Sequence, residues 1–508
     1  MTELNVKKGP YVVGIDLGTS NSAIAVSIQK RVQVIPINGD KILPSVLCVR
    51  NGEPIIGKQA RNRLMVDPEN TVASIKREMG GTWKKEFESL PGKIYTPTTI
   101  SSEILAELIK GATESDQVEL KGTPTYAVIC IPANFNDAQK QATLEAAKLA
   151  NLEVRYLLEE PVAAAIAYGY EKERKQTILV FDLGGGTFDV SILQVDTTQS
   201  ESPKFEILAK EGIAKLGGDD FDYKIMAMAA ERFQQTSNID LLDLDKDQGI
   251  NKNSLRQAQQ KLKNASETAK WELSEASTAK IDLPNLIQDE SGQLHNLEWE
   301  ITRDEFKNSI RPLLEESMET VKTALASAEL SVEDIDRIIL AGGSTRVPLV
   351  KEMIAEVFGK EPYSDTDPDT VVARGAAIYG ANIEGITISN IVTHFLGIET
   401  VGDKFSCQIK KDEKIPQDQP LSATKTYFTS QDNQTQIAIR VYQSDRLVKY
   451  VQDEEGVTCI GEFFLTGIPA KPQGEEKCEV TFEIDQQNLL TVKAVSSSGE
   501  KEIKIQRS

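Results

Sequence analysis

Ile178-Leu-Val-Phe-Asp-Leu-Gly-Gly-Gly-Thr-Phe-Asp189 decides how this chain is read. Four apolar residues run into Asp182, and three glycines, Thr187 and Asp189 follow. An apolar run of that length closed by glycines predicts a buried strand and a tight turn. Glycine lets a ligand approach the main chain, and successive turn N–H groups form a concave anion site. A carboxylate beside a phosphate cradle is repulsive alone, so Asp182 implies a bridging divalent cation. The order recurs in Val12-Val-Gly-Ile-Asp-Leu-Gly-Thr-Ser-Asn21, with Asp16, Gly18, Thr19 and Ser20 in matching places. One such turn is weak evidence. Two copies far apart predict twin lobes whose turns face one polyphosphate.

The composition sets bounds. The 508 residues allow roughly three or four domains. Hydrophobic residues at 40% and charged residues at 26% are those of a soluble globular protein with sizeable cores. The net charge of −20, from 57 basic and 77 acidic residues, argues against nucleic acid and against an anionic membrane surface. The five cysteines form no C-x-x-C pair, which fits reduced thiols and a cytoplasmic location. Two histidines, His295 and His394, argue against a His-based zinc site or a catalytic triad. The start lacks an apolar core of signal-peptide length, and no apolar run approaches a membrane span.

Outward from the paired turns, Tyr126–Ile131 reads as a buried strand, and Asn136 as the cap of a following helix. Glu159-Glu160-Pro161 leads into an alanine-rich helix. Gly217-Gly218 opens another helix and suits phosphate approach. Glu267, Lys270, Trp271 and Ser274 share one face of a long helix over 254–275. Ile338–Arg346 is a third strand ending in glycines, Gly342 and Gly343. Asp367-Pro368 predicts an N-cap with proline at the first helical position, and a helix to about 383. Beyond 398 the helical period is lost, and alternation in 435–442, 479–484 and 502–505 predicts an antiparallel β module. The chain therefore divides into an α/β nucleotide unit over 1–383, a linker over 384–396 and a β-sandwich over 397–508.

These residues together resemble the seventy-kilodalton heat-shock chaperones of the DnaK type. The likeness is carried by the two turns, Pro132-Ala-Asn-Phe-Asn-Asp-Ala-Gln139, Glu160-Pro161, Gly217-Gly218, Gly342-Gly-Ser-Thr-Arg346, Pro368-Asp369 and Leu396-Gly-Ile-Glu-Thr400. It implies an actin-like ATPase of duplicated ribonuclease-H-like halves joined to a peptide-binding β-sandwich. By motif, Gly18, Thr19, Ser20 and Asn21 would hold phosphate from one side, and Gly184, Gly185, Gly186 and Thr187 from the other. Asp16 and Asp182 would hold Mg²⁺ through water, with Glu160 nearby. Lys76 would stabilise γ-phosphate charge and, with Asp182 or Thr187, place the attacking water. Gly217, Gly218, Glu267, Lys270, Ser274, Gly342, Gly343, Ser344, Arg346 and Asp369 would surround the ATP ribose and adenine. Ile398, Val401, Tyr427, Ser430, Ile437 and Ile439 would line a groove for extended apolar peptides of unfolded proteins. The residues alone leave a sugar kinase open, and so a chaperone cofactor that holds ATP with little hydrolysis.

Four departures matter. The helical lid of the family does not follow the sandwich before Ser508, which implies fast peptide exchange. Ile386-Thr-Ile-Ser389 replaces a nearly all-aliphatic linker, and Asn390 stands where the family has aspartate. Tyr156 replaces an arginine on the surface that meets the J-domain co-chaperone, so that docking is expected to be weak, while Lys140 keeps a family charge. A nucleotide exchange factor is a further implied partner. Trp271 replaces a basic or aliphatic residue and is expected to stack on adenine opposite Arg346.

Overall fold

Two sheets in this computed structural model repeat one strand order. It describes residues 11–504 except 65, 119, 121, 170–174, 199–202, 247, 364–365, 384, 417–418, 453–455, 487 and 497–498, with backbone alone for 499–504. The first residue expected in the linker, 384, and the last of the alternating stretch 502–505 fall outside that set.

In the first sheet β1 (Val12–Asp16), β2 (Asn21–Ile28) and β3 (Arg31–Val34) form an antiparallel meander. Parallel strands β4 (Tyr126–Ile131) and β5 (Glu153–Glu159) extend it beside β1, giving β5-β4-β1-β2-β3. The second sheet repeats the meander with β6 (Lys175–Leu183), β7 (Phe188–Asp196) and β8 (Lys204–Ile213), and β9 (Arg337–Ala341) lies parallel to β6. Asp16 and Asp182 therefore sit at equivalent ends of equivalent strands.

The quoted run is unbroken in its hydrophobicity because both faces of β6 are covered. Leu179, Phe181 and Leu183 enter the core of the second lobe. Ile178 and Val180 point the opposite way into a core shared between the lobes, as the period of two requires. That shared core is built on α2 (Glu160–Gly169) and α5 (Val371–Ala381). The helices cross so closely that a Cβ at Gly375 would lie 1.8 Å from the Ala163 carbonyl oxygen, and one at Gly14 2.1 Å from Ala377 N.

Helix boundaries follow their caps. α1 (Asp137–Leu149) starts in a reciprocal box: Gln139 N donates to Asn136 Oδ1 and Asn136 N to Gln139 Oε1, at 3.0 and 2.9 Å. α3 (Gly218–Ser237) and α4 (Lys252–Glu275) follow in the second lobe. α5 corrects the expected start at Pro368: it begins at Val371 with Thr370 as N-cap and ends at Ala381. Asp367 caps a turn over 368–370 ahead of the helix: its carboxylate accepts from Asp369 N at 3.3 Å as well as from Arg346 at 2.6 Å, and its carbonyl accepts from Thr370 N and Val371 N.

The C-terminal strands form two antiparallel sheets over one core. β11 (Phe395–Thr400), β12 (Lys404–Ile409), β14 (Gln436–Ser444) and β15 (Val457–Thr466) are ordered β12-β11-β14-β15. β13 (Leu421–Phe428), β16 (Lys477–Ile484), β17 (Leu490–Ser496) and β18 (Gly499–Lys504) form the other. Ile398, Ile439 and Val441 from the first sheet meet Val480, Phe482 and Val492 from the second. Between this unit and the lobes, β10 (Thr387–Ser389) pairs in parallel with β8 and extends the second sheet. The stretch read as linker is thus partly a strand of the nucleotide unit.

Candidate functional site

The two glycine turns meet. A Cβ on Gly185 would lie 2.0 Å from Ser20 Oγ, and one on Gly186 would lie 3.0 Å from Thr19 Cγ2. Gly217 packs on Gly185, where a Cβ would reach Gly185 C at 2.6 Å. Gly218 fits below Ser344 Oγ and Lys270 Nζ, at 2.6 and 3.1 Å from such a Cβ. Gly342 and Gly343 are crowded in the same way by Asp182 and Asp369, both at 2.8 Å. The glycines of three separate loops are therefore needed for close approach, and with Thr19 and Ser20 of the first turn they converge on one cleft between the lobes. Hydrogen bonds stitch it: Gly218 N and Ser344 Oγ both donate to Gly184 O, at 3.0 and 2.7 Å, and Asp219 N donates to Gly185 O at 2.8 Å. Ser45 Oγ braces the first turn by donating to Gly18 O at 2.8 Å.

The floor of the cleft is acidic. Lys76 is buried, and its Nζ lies 2.7 Å from Glu160 Oε1. Burial, with help from Glu160, raises the Asp16 pKa to about 7 against the pull of Lys76. Burial also pushes Asp182 well above the carboxylate range, aided by Glu160, Asp189 and Asp16. Asp189, held by Asn134 Nδ2 at 3.1 Å, is raised to about 8 by burial and then by Glu160. Burial works against the charge on Lys76, yet Glu160, Asp16 and Asp182 more than offset it, and its pKa rises.

Asp182 Oδ2 and Asn21 Oδ1 are buried with no hydrogen-bond partner within the protein. Such orphaned acceptors are costly and suit a cation with its water shell. Among the described residues no three His, Cys, Asp or Glu side chains converge closely enough to chelate a metal directly. The unpartnered Asp182 carboxylate oxygen suits a hard divalent cation such as Mg²⁺.

The other expected residues divide. Lys270 is buried, donates to Gly218 O at 3.1 Å and pairs with Asp222 at 2.8 Å. Ser274 Oγ bonds back to Lys270 O at 3.1 Å. Glu267 instead faces across the cleft and is ion-paired with Arg61 of the first lobe. Trp271 is 55% exposed, with the Arg61 guanidinium 5.1 Å from its ring centroid. Arg346 bridges Asp367 and Asp369, both at 2.6 Å. The Thr187 carbonyl closes its own turn by accepting from Gly184 N at 3.1 Å.

Arg77, Asp222, Asp189 and Arg61 were not singled out by the sequence reading. Arg77 pairs with Asp220 at 3.0 Å and donates to Gly185 O at 3.4 Å. Its position beside Lys76 was the signal for it, as the Gly-Gly-Asp-Asp-Phe-Asp run was for Asp222. Arg61 sits in a polar stretch and carries no local signal.

The six groove residues do not lie together on a surface. Ile398 and Ile439 are core, and Ile437 packs partly against them. Val401 is exposed. Tyr427 turns inward and its hydroxyl bonds Ser406 and Gln408 at 2.8 and 2.9 Å. Its neighbour Phe428 points out, 59% exposed, as strand alternation dictates. Ser430 N donates to Gln434 Oε1 at 2.8 Å in the following loop.

Tyr156, Lys140 and Asn390 lie at a domain boundary. Lys140 Nζ donates to Asn488 O at 2.7 Å, and Tyr156 Oη to Gln486 O at 2.9 Å. Both bonds hold the turn between β16 and β17. Asn390 is buried, with Nδ2 3.2 Å from Glu159 Oε1 and its oxygen accepting from Lys210. Lys411–Glu211 and Lys414–Glu206 add ion pairs at 2.7 and 2.6 Å. The surface reserved for a co-chaperone in the sequence reading is, in this arrangement, covered by the chain's own β unit.

A family profile described as Hsp70 protein matches residues 12–508. A chaperone protein DnaK of Thermotoga neapolitana is 42% identical over 98% of this chain and 80% of its own. Another, of Thermotoga petrophila, is 41% identical over the same shares. With that match spanning both the glycine-lined cleft and the C-terminal sheets, the chain belongs to the Hsp70 family and is of the DnaK type.

Proposed function

We propose that this chain is an ATP-dependent chaperone in which an actin-like, two-lobed ATPase controls a peptide-binding β-sandwich. The observation that carries the reading is the contact of Gly185 with Ser20, which closes two equivalent phosphate turns on one cleft. Mg²⁺, when bound, supplies positive charge to the phosphates. Asp16 and Asp182 would hold it through water, and Thr19, Ser20, Asn21 and the Gly184–Thr187 main chain would cradle the phosphates. Lys76, fixed by Glu160, brings its ammonium to the floor of the cleft and stabilises charge as the γ-phosphoryl group leaves. Lys270, Ser274, Ser344, Arg346 and Asp369 hold the nucleoside end. Unfolded polypeptides, a J-domain co-chaperone and an exchange factor are the partners this reading assigns. Charge-poor contacts at Tyr156 and Asn390 favour weak J-domain docking.

Single-turnover release of γ-phosphate tests it. Lys76→Ala should slow hydrolysis by about 10²–10³-fold while ATP still binds. Hydrolysis at the wild-type rate in that variant would remove Lys76 from the chemistry. Phosphate appearing on an added sugar instead of in solution would point to a kinase.

A further inference from the structure

His394 lies between the two units, in the segment that leads into β11. Its side chain is mostly shielded, 13% exposed. Nδ1 lies 2.8 Å from Thr393 Oγ1, and Nε2 lies 3.4 Å from Asp445 Oδ1 at the end of the β14 hairpin arm. Lys140 from α1 lines the same small cavity as His394, and the charges of Lys210 from β8 and Lys411 from the turn after β12 also act against a proton on the ring. Lys140 and Lys210 belong to the ATPase unit. Beside it is a cavity of about 20 Å³ whose walls include Asp137, Lys140, His394, Gln443 and Asn488. That is room for about one water, too little to hydrate an imidazolium.

Lys210 and Lys411 are matched by Glu159 and Glu211. Lys140, by contrast, rests on a main-chain carbonyl, with Asp137 one turn before it on α1. A proton on His394 would add a fourth positive charge to this nest, with Asp445 at 3.4 Å as the carboxylate in reach.

We propose that His394 makes docking of the β unit proton-sensitive: the neutral ring permits the docked arrangement, and protonation drives the two units apart. The inference concerns this contact and stands whether or not ATP and peptide binding are coupled. Burial first, then Lys140, Lys411 and Lys210, lowers the docked pKa to about 4 from 6.5. The sign follows from linkage: the undocked ring binds the proton more tightly, so docking is intact above 6.5 and weakens as pH falls towards 4. From pH 7.5 to 5.5 the docking constant should drop about tenfold. Burial raises Asp137, Asp412 and Asp445 above the usual carboxylate range. Protons taken up by these groups in the docked state oppose the effect, so a histidine variant is needed to isolate it.

The test is small-angle X-ray scattering of the whole chain, with and without Mg-ATP, between about pH 7.5 and 5.5. Wild type should be compact at the upper pH in at least one nucleotide condition and expand at the lower. His394→Leu and His394→Gln should stay compact over the range, and His394→Lys should be expanded at pH 7.5. Two neutral variants guard against one that misfolds, and near-ultraviolet circular dichroism identifies it. A wild type that does not expand, or neutral variants that expand with it, would overturn the proposal, as would a chain extended at pH 7.5 in every condition.

Discussion

Trp271 shows where a residue's surroundings outrun its sequence. The family resemblance put it beside adenine, and in the structure the ring lies at the cleft mouth with Arg61 5.1 Å above it. A cation over an indole contributes about 0.5–1 kcal/mol at an exposed site. Nucleotide that stacks on this ring must compete with Arg61 or enclose the ring from its other face. Either event changes the indole environment. Tryptophan emission should therefore shift on adding ATP, and Trp271→Phe should remove the shift although Trp83 and Trp299 remain. An identical shift in the variant would place Trp271 outside the nucleotide site. The acidic floor gives a second measurement at this scale. Burial raises Asp16 to about 7 and Asp189 to about 8, so at neutral pH in the free protein Asp16 is about half protonated and Asp189 mostly so. A cation favours their ionised forms, so binding of Mg-nucleotide should release protons, and affinity should fall as pH drops below 7. Calorimetry in two buffers of different ionisation enthalpy reads this directly, and equal heats in both would contradict it.

Elements were legible where a local signal and the tertiary structure agree. β6 was clear because both of its faces are buried, so every residue of the run is apolar. α1 was clear because Asn136 and Gln139 form a cap that needs no distant partner. α5 was misread at its start because Asp367 caps a turn over 368–370 and not the helix itself, sharing its carboxylate between Asp369 N and Arg346, 21 residues earlier. No local rule contains that pairing. The strand Thr387–Ser389 was read as linker for a similar reason: three residues with no period of their own pair with β8, far away in sequence. The crossing of α5 on α2 makes the element-level test. Gly375→Ala places a methyl 1.8 Å from a backbone oxygen, so the helices must separate. Overpacking of this kind costs roughly 1–3 kcal/mol, and the melting temperature should fall. Because Asp369 and Thr370 lead directly into α5, nucleotide affinity should fall with it. Unchanged stability would mean that the helices are not packed as described.

At the scale of the whole molecule, the duplicated turns foretold that two turns meet at one cleft, since two copies of one motif imply two equivalent lobes. The boundary between lobes and β unit was not legible. Tyr156 and Asn390 were read for the charge they lack, yet what they do depends on the turn after β16 and on Lys210, which the sequence does not mark as neighbours. The six residues expected to line a peptide groove were not legible as a set: Ile439 is core, and alternation alone did not say which of Tyr427 and Phe428 faces outward. Among the described residues no helix is long and apolar enough to cross a membrane.

The central claim is that both turns grip a single magnesium nucleotide. Titration of ATP in the presence of Mg²⁺ against wild type, Gly185→Val and Asp16→Asn tests it most directly. The account requires one ATP per chain, and a large loss of affinity from either change, although the two residues belong to different lobes. Two independent sites, or wild-type affinity after either substitution, would contradict it.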